Sequence, residues 1–151
     1  MVGAAVPVRY PRGWSAKLNG PYHRAAINTF MVVVVVHWGE HIAQAVQIWG
    51  MGWPRPKAKG LIGYAFPWLV SSEWLHYGFA LVMLVALWTL RHGFTGPSRR
   101  WWTLALGIQF WHHIEHLLLL VQAQTHHYLF GAKVPTSILQ HYYPRVELHL
   151  F

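Results

Sequence analysis

Three long apolar runs, separated by short stretches rich in glycine, proline and cations, organise the chain. The first extends from Ala25 to about Trp49 and is broken only by the cluster His37 to His41. At about 1.5 Å per residue it is long enough, as a helix, to cross a hydrocarbon layer of roughly 30 Å. The second runs from Leu61 to Leu90; Pro67 interrupts it, so its dependable helical part is Ser71 to Leu90. The third runs from Trp101 to about Phe130. Gly50 to Gly60 reads as a loop and Gly93 to Arg100 as a turn, and connections this short make successive spans antiparallel. The pattern predicts an all-α, polytopic membrane helix bundle of three transmembrane helices, with spans at 25–49, 61/71–90 and 101–130. Residues 1–24 form a polar, basic arm without the apolar core of a signal peptide. In the segment 131–151, Pro135 and Pro144 oppose a continuous helix, and the final Val-Glu-Leu-His-Leu-Phe reads as the start of a fourth apolar element.

Composition strengthens the membrane reading. The chain of 151 residues is 54% hydrophobic and 11% charged, against about 25% charged in an ordinary soluble domain. Its net charge of +8 comes from cations flanking apolar runs, not from a basic helix face, which argues for a lipid bilayer as partner and against nucleic acid. Of the 12 cations, Arg9, Arg12, Lys17, Arg24, Arg91, Arg99 and Arg100 fall on the side of the N-terminus, and Arg55, Lys57, Lys59, Lys133 and Arg145 on the other. The positive-inside rule then places the N-terminus in the cytoplasm. With no cysteine, any metal must be held by nitrogen and oxygen.

The acids change the picture further. All four are glutamates, and Glu40, Glu73 and Glu115 lie inside apolar runs, where a carboxylate costs at least about 2.5 kcal/mol. Each stands beside histidines. His37-Trp-Gly-Glu40-His41 and His112-His113-Ile-Glu115-His116 both read H-x-x-E-H, and Glu73-Trp-Leu-His76 adds an E-x-x-H pair. Residues at i, i+3 and i+4 share a helix face, so each motif offers its donors to one point, as E-x-x-H does in four-helix di-metal proteins. Counted from the N-terminal side, the three sets lie about 11 to 18 residues deep, within one or two turns of each other. The expected ligands are His37, Glu40, His41, Glu73, His76, His112, Glu115 and His116, enough for two transition-metal ions, with a mononuclear site using part of the set as the alternative. Mixed imidazole and carboxylate favours iron, with manganese, zinc or copper as alternatives. Gln44, Gln109, His113, His126 and His127 are accessory polar groups suited to orienting imidazoles.

Plainer readings compete. Membrane histidines often pack or hydrogen-bond without a metal, His–Glu pairs within one helix can be structural, and Ser71-Ser72-Glu73 can cap a helix. His126 and His127 lie about 15 Å along the helix from His116. His23, His92, His141 and His149 read as interfacial or surface residues. The string H-x-x-E-H is also an inverted zinc-protease signature.

The box His37-x-x-x-His41 and the cluster His112-His113-Ile-Glu115-His116, with its I-E-H core, resemble the histidine boxes of integral-membrane fatty-acid desaturases and hydroxylases. That resemblance covers two short motifs and implies di-iron oxygen chemistry. The expected function is a metal-dependent membrane oxidoreductase that oxidises an apolar small molecule, such as a lipid, hydrocarbon or quinol, with dioxygen. The alternatives are an electron-transfer subunit binding haem b through paired histidines such as His41 and His116, and a metal or proton conduit or structural subunit. Three helices enclose such a site poorly, so a homo-oligomer or a place in a larger membrane complex is expected.

Overall fold

The computed structural model describes residues 13–150, so the first half of the basic arm, with Arg9 and Arg12, lies outside the described residues. The structure is 79% helical, with no strand among those residues. A short helix, α1 (Trp14–Leu18), precedes α2 (His23–Ala45), which a π-helical turn extends over Val46–Gly50. Pro67 divides the second apolar run into α3 (Gly60–Ala65) and α4 (Pro67–Ser71), and α5 (Trp74–Leu90) follows. The long α6 (Gly96–Thr125) carries its proline in the first turn, where the missing N–H costs nothing. The C-terminal segment ends in α7 (Arg145–Leu150).

Three helices are long and apolar enough to cross a membrane: His23–Gly50, Trp74–Gly93 and Gly96–Thr125. The first two match the expected spans closely. The third stops about five residues before Phe130, because His126 takes a left-handed conformation (φ 55°) and its N–H closes on the Gln122 carbonyl at 2.9 Å. Its solvent pattern is that of a protein in lipid. Val32, Val85 and Ile108 face outward, Ile108 with 63% of its surface exposed, whereas Glu40, His41, Gln44, Glu73, His76, Glu115 and His116 are buried.

The bundle has an apolar half and a polar half. Toward the N-terminal end of α2, Phe30, Met83, Leu87 and Leu90 form the buried core, with Trp102 and Leu106 packed on it. Trp102 Nε1 donates to the Leu87 carbonyl at 2.8 Å, and Gln109 Nε2 to the Ala80 carbonyl at 3.0 Å. Gln109, expected near a metal, thus ties α6 to α5. These two helices form the most extensive pair; α2 also packs on α5, while direct contact between α2 and α6 is slight. The fourth side of this three-helix arrangement is closed by α7, which packs against α2.

The turn into α3 is fixed by side chains of the first long helix and its π-helical extension. Gln47 clasps the Gly60 backbone, accepting its N–H at 3.0 Å and donating to its carbonyl at 3.2 Å. Both carboxylate oxygens of Glu40 accept the Ile62 N–H at 3.0 Å. Gly60 has φ +76°, and a Cβ there would run into the Glu40 carboxylate. Gly60→Ala is therefore expected to destabilise the protein by about 2 kcal/mol, from left-handed strain and a disturbed buried carboxylate. In detergent this would appear as a thermal midpoint lowered by roughly 4–8 °C; an unchanged midpoint would contradict the Glu40–α3 contact.

Candidate metal centre

Six histidines from four helices converge in the polar half: His37 and His41 of α2, His76 of α5, His112 and His116 of α6, and His149 of α7. The ring of His41 stacks on that of His149 with centroids 4.2 Å apart, and on His76 at 5.6 Å. His76 in turn stacks on His116 at 5.7 Å, the planes 5° apart. His112 lies 4.5 Å from His116 and 5.2 Å from His149. All five histidines proposed from the span motifs are thus neighbours. His149 joins them although it was expected at the interface, and that expectation is corrected by the fold. Pro144 turns the chain back so that α7 enters the gap between α2 and α6. Glu147 and His149 within an apolar hexapeptide repeat the composition of the span motifs, and this was the available signal.

Two hydrogen bonds fix where the protons sit. His41 Nδ1 pairs with the amide oxygen of Gln44 at 3.1 Å, and His149 Nδ1 with the Arg145 carbonyl at 2.7 Å. Since both partners are acceptors, Nδ1 carries the proton in each ring and Nε2 keeps its lone pair. Those lone pairs point into the cluster. His41 Nε2 stands 3.2 Å from His37 Nε2, and His149 Nε2 stands 3.0 Å from His116 Nε2. Adjacent nitrogens bound to one ion at about 2.0–2.1 Å are themselves about 3 Å apart. One donor atom each from His112, His116 and His149 lies within 4.8 Å of the others, a group able to hold a metal ion. His112 Nε2 is buried without a hydrogen-bond partner among the described residues, as a metal-binding nitrogen would be. A neutral N–H···N pair would also fit the 3.0 Å spacing, but it leaves the His112 nitrogen unexplained.

The glutamates each bind another segment of the chain. Glu40 holds Ile62, as described. Glu115 Oε2 accepts the Leu139 N–H at 3.1 Å and fastens the C-terminal segment to α6. Glu73 does not cap α5 through its side chain. Its residue sits at the helix start with φ 65°, and its carboxylate pairs with Arg145 at 2.7 Å, 3.8 Å from His76 Nδ1. The structure thus gathers the imidazoles and has each carboxylate anchor another segment, while Glu115 Oε1 stays buried without a hydrogen-bond partner among the described residues, beside the cavity that His112, His116 and His149 line. Gln44 orients His41, and His113 lies on the flank of α6 against Tyr77, centroids 5.3 Å apart. His126 and His127 are exposed at the end of α6, away from the cluster.

Beside the group of three histidines is a cavity of about 170 Å³, walled by Ile108, Trp111, Glu115 and Leu119 on α6 and by Ser137, Leu139, Gln140 and Leu148 of the C-terminal segment. An exposed clasp completes the closure. Arg55 binds Glu147 through two hydrogen bonds of 3.0 and 2.5 Å, and this hydrogen bonding holds the Glu147 carboxyl below its ordinary range. Its pairing is kept above the unfolded pKa and is lost as pH falls through the lowered folded value. No family model, curated protein or solved structure matches the chain.

Removing Arg145 leaves the Glu73 carboxylate buried and unpaired. Arg145→Ala is expected to cost roughly 2–4 kcal/mol, the low side of a broken buried pair because Arg145 is partly exposed. Glu73→Gln combined with Arg145→Ala should be less damaging than the sum of the two single changes. Unfolding in mild detergent measures this cycle, and strict additivity would refute the ion pair.

Proposed function

We propose that this chain is a membrane metalloprotein whose histidine cluster binds transition-metal ions and uses them to oxidise an apolar substrate with dioxygen. The observation that carries the metal reading is the fixed tautomer of His41 and His149, each presenting a lone pair to a second imidazole about 3 Å away. His112, His116 and His149 form the first ion's donor set, and His37 with His41 the beginning of a second. An all-imidazole set suits zinc, copper, iron and nickel, and the redox role narrows these to iron and copper. When bound, the metal supplies the electron transfer and the open positions at which dioxygen is activated.

The chain's own groups support that chemistry in defined ways. Gln44 and the Arg145 carbonyl hold two rings in register, α7 closes the site from the side left open by the spans, and the cavity beside Trp111 offers an apolar approach from lipid. A lipid, hydrocarbon or quinol matches such an approach. The haem reading is disfavoured by packing: the His76 ring stacks between His41 and His116, so a tetrapyrrole bridging those two would have to displace it. The cation distribution supports a cytoplasmic N-terminus.

Elemental analysis of the detergent-purified protein, loaded with iron or copper and dialysed, tests the centre. At least one ion per chain is expected in the wild type, with His116→Ala and His149→Ala each weakening retention by about tenfold or more. Glu40→Gln, at a carboxylate whose two oxygens both accept the Ile62 N–H, should leave metal content unchanged. Full retention in both histidine variants, or equal loss in Glu40→Gln, would refute this donor set. Dioxygen uptake by the loaded protein with a short-chain quinol checks the oxidative role, and uptake equal in wild type and His149→Ala would refute it.

A further inference from the structure

A second, larger cavity of about 480 Å³ opens at the loop end of the bundle, between the turn before α3, the corner joining α4 to α5, and α7. Its walls combine apolar residues such as Val70 and Val146 with Arg55, Lys59, Glu73, His76 and Arg145. This mixture, mostly apolar with a few polar groups in one hollow, is that of a ligand site.

The charges do not balance. Arg55 is matched by Glu147 and Arg145 by Glu73. Lys59 has no acidic partner within ion-pair distance among the described residues, so the cavity carries one excess positive charge. Hydrogen bonding does not balance either. Arg145 Nε and His76 Nδ1 are shielded and have no partner among the described residues. His76 is only 2% exposed, and the nearest carboxylate oxygen, at 3.8 Å, is already engaged by Arg145. A buried arginine N–H requires an acceptor, and so does the neutral His76 ring in the tautomer that carries its hydrogen on Nδ1. The missing partner is therefore a singly charged group with several acceptor oxygens.

We propose that this cavity binds a phosphate group, with Lys59 supplying the unmatched charge and Arg145 Nε and His76 Nδ1 donating to its oxygens. A phosphodiester carries one negative charge and offers several acceptor oxygens. The cavity stands beside the loop that carries Arg55, Lys57 and Lys59, at the end of the spans where lipid headgroups lie. The phosphate can belong to a phospholipid or be free in solution. The phosphate site shares Arg145 and His76 with the surroundings of the histidine cluster but rests on Lys59, and its variants leave the histidines intact.

The test uses the full chain, stripped of lipid by detergent exchange, with phosphatidylglycerol and radiolabelled inorganic phosphate as probes. Bound lipid is counted by native mass spectrometry and bound phosphate by equilibrium dialysis. Saturable binding of one lipid per chain, weakened about tenfold in Lys59→Glu and not displaced by millimolar phosphate, assigns the site to a headgroup. Saturable inorganic phosphate with the same dependence on Lys59, displacing lipid, assigns it to the free ion. Lys59→Met, which removes the charge without reversing it, should weaken binding in the same direction. Absence of saturable binding of both probes, or binding unchanged in both variants, would overturn the proposal. Metal content should be equal in wild type and Lys59→Glu, which separates this test from that of the histidine cluster.

Discussion

A carboxylate carried into a hydrocarbon layer must find a donor there, and much of this structure follows from where three glutamates find theirs. Glu40 takes the Ile62 N–H and fixes α3; Glu115 takes the Leu139 N–H and fixes the C-terminal segment; Glu73 takes the Arg145 guanidinium and fixes α7. Each acid binds a segment that does not itself span. The bundle of three long helices is thereby closed by its own short elements, and α7 fills the side where α2 and α6 hardly meet.

Closure in turn decides which histidines can work together. His149 rides on α7, and its Nδ1 is held by the carbonyl of Arg145, the same residue that pairs with Glu73. Anchoring and donor orientation are thus coupled through a single turn of helix. The apolar half, built on Phe30, Met83, Leu87 and Leu90, sets the spacing of α2, α5 and α6, and that spacing brings His37, His41, His76, His112 and His116 to one level.

The spans were legible in the sequence because their signal is local: uninterrupted apolar length, proline and glycine punctuation, and tryptophans at the edges. The histidines of α2, α5 and α6 were legible for a related reason, since i, i+3 and i+4 spacing places them on one face whatever the neighbours do. The glutamates share those faces yet face other partners, because a carboxylate goes to the nearest unsatisfied N–H or cation, here supplied by residues 22 to 72 positions away along the chain. His149 was hidden by the same non-locality. Its place depends on the return of the chain after Pro144 and on the Glu73–Arg145 and Arg55–Glu147 contacts, none of which a local pattern encodes. The early end of α6 at Thr125 depends on the left-handed turn at His126.

The proposed division of labour, imidazoles toward the metal and carboxylates toward the scaffold, is tested most directly by X-ray absorption spectroscopy of the copper- or iron-loaded protein. A first shell of nitrogen at about 2.0–2.1 Å, with the outer-shell scattering of three or more imidazole rings per ion, is the predicted result. A shell dominated by oxygen, without imidazole scattering, would contradict it and return the six histidines to packing.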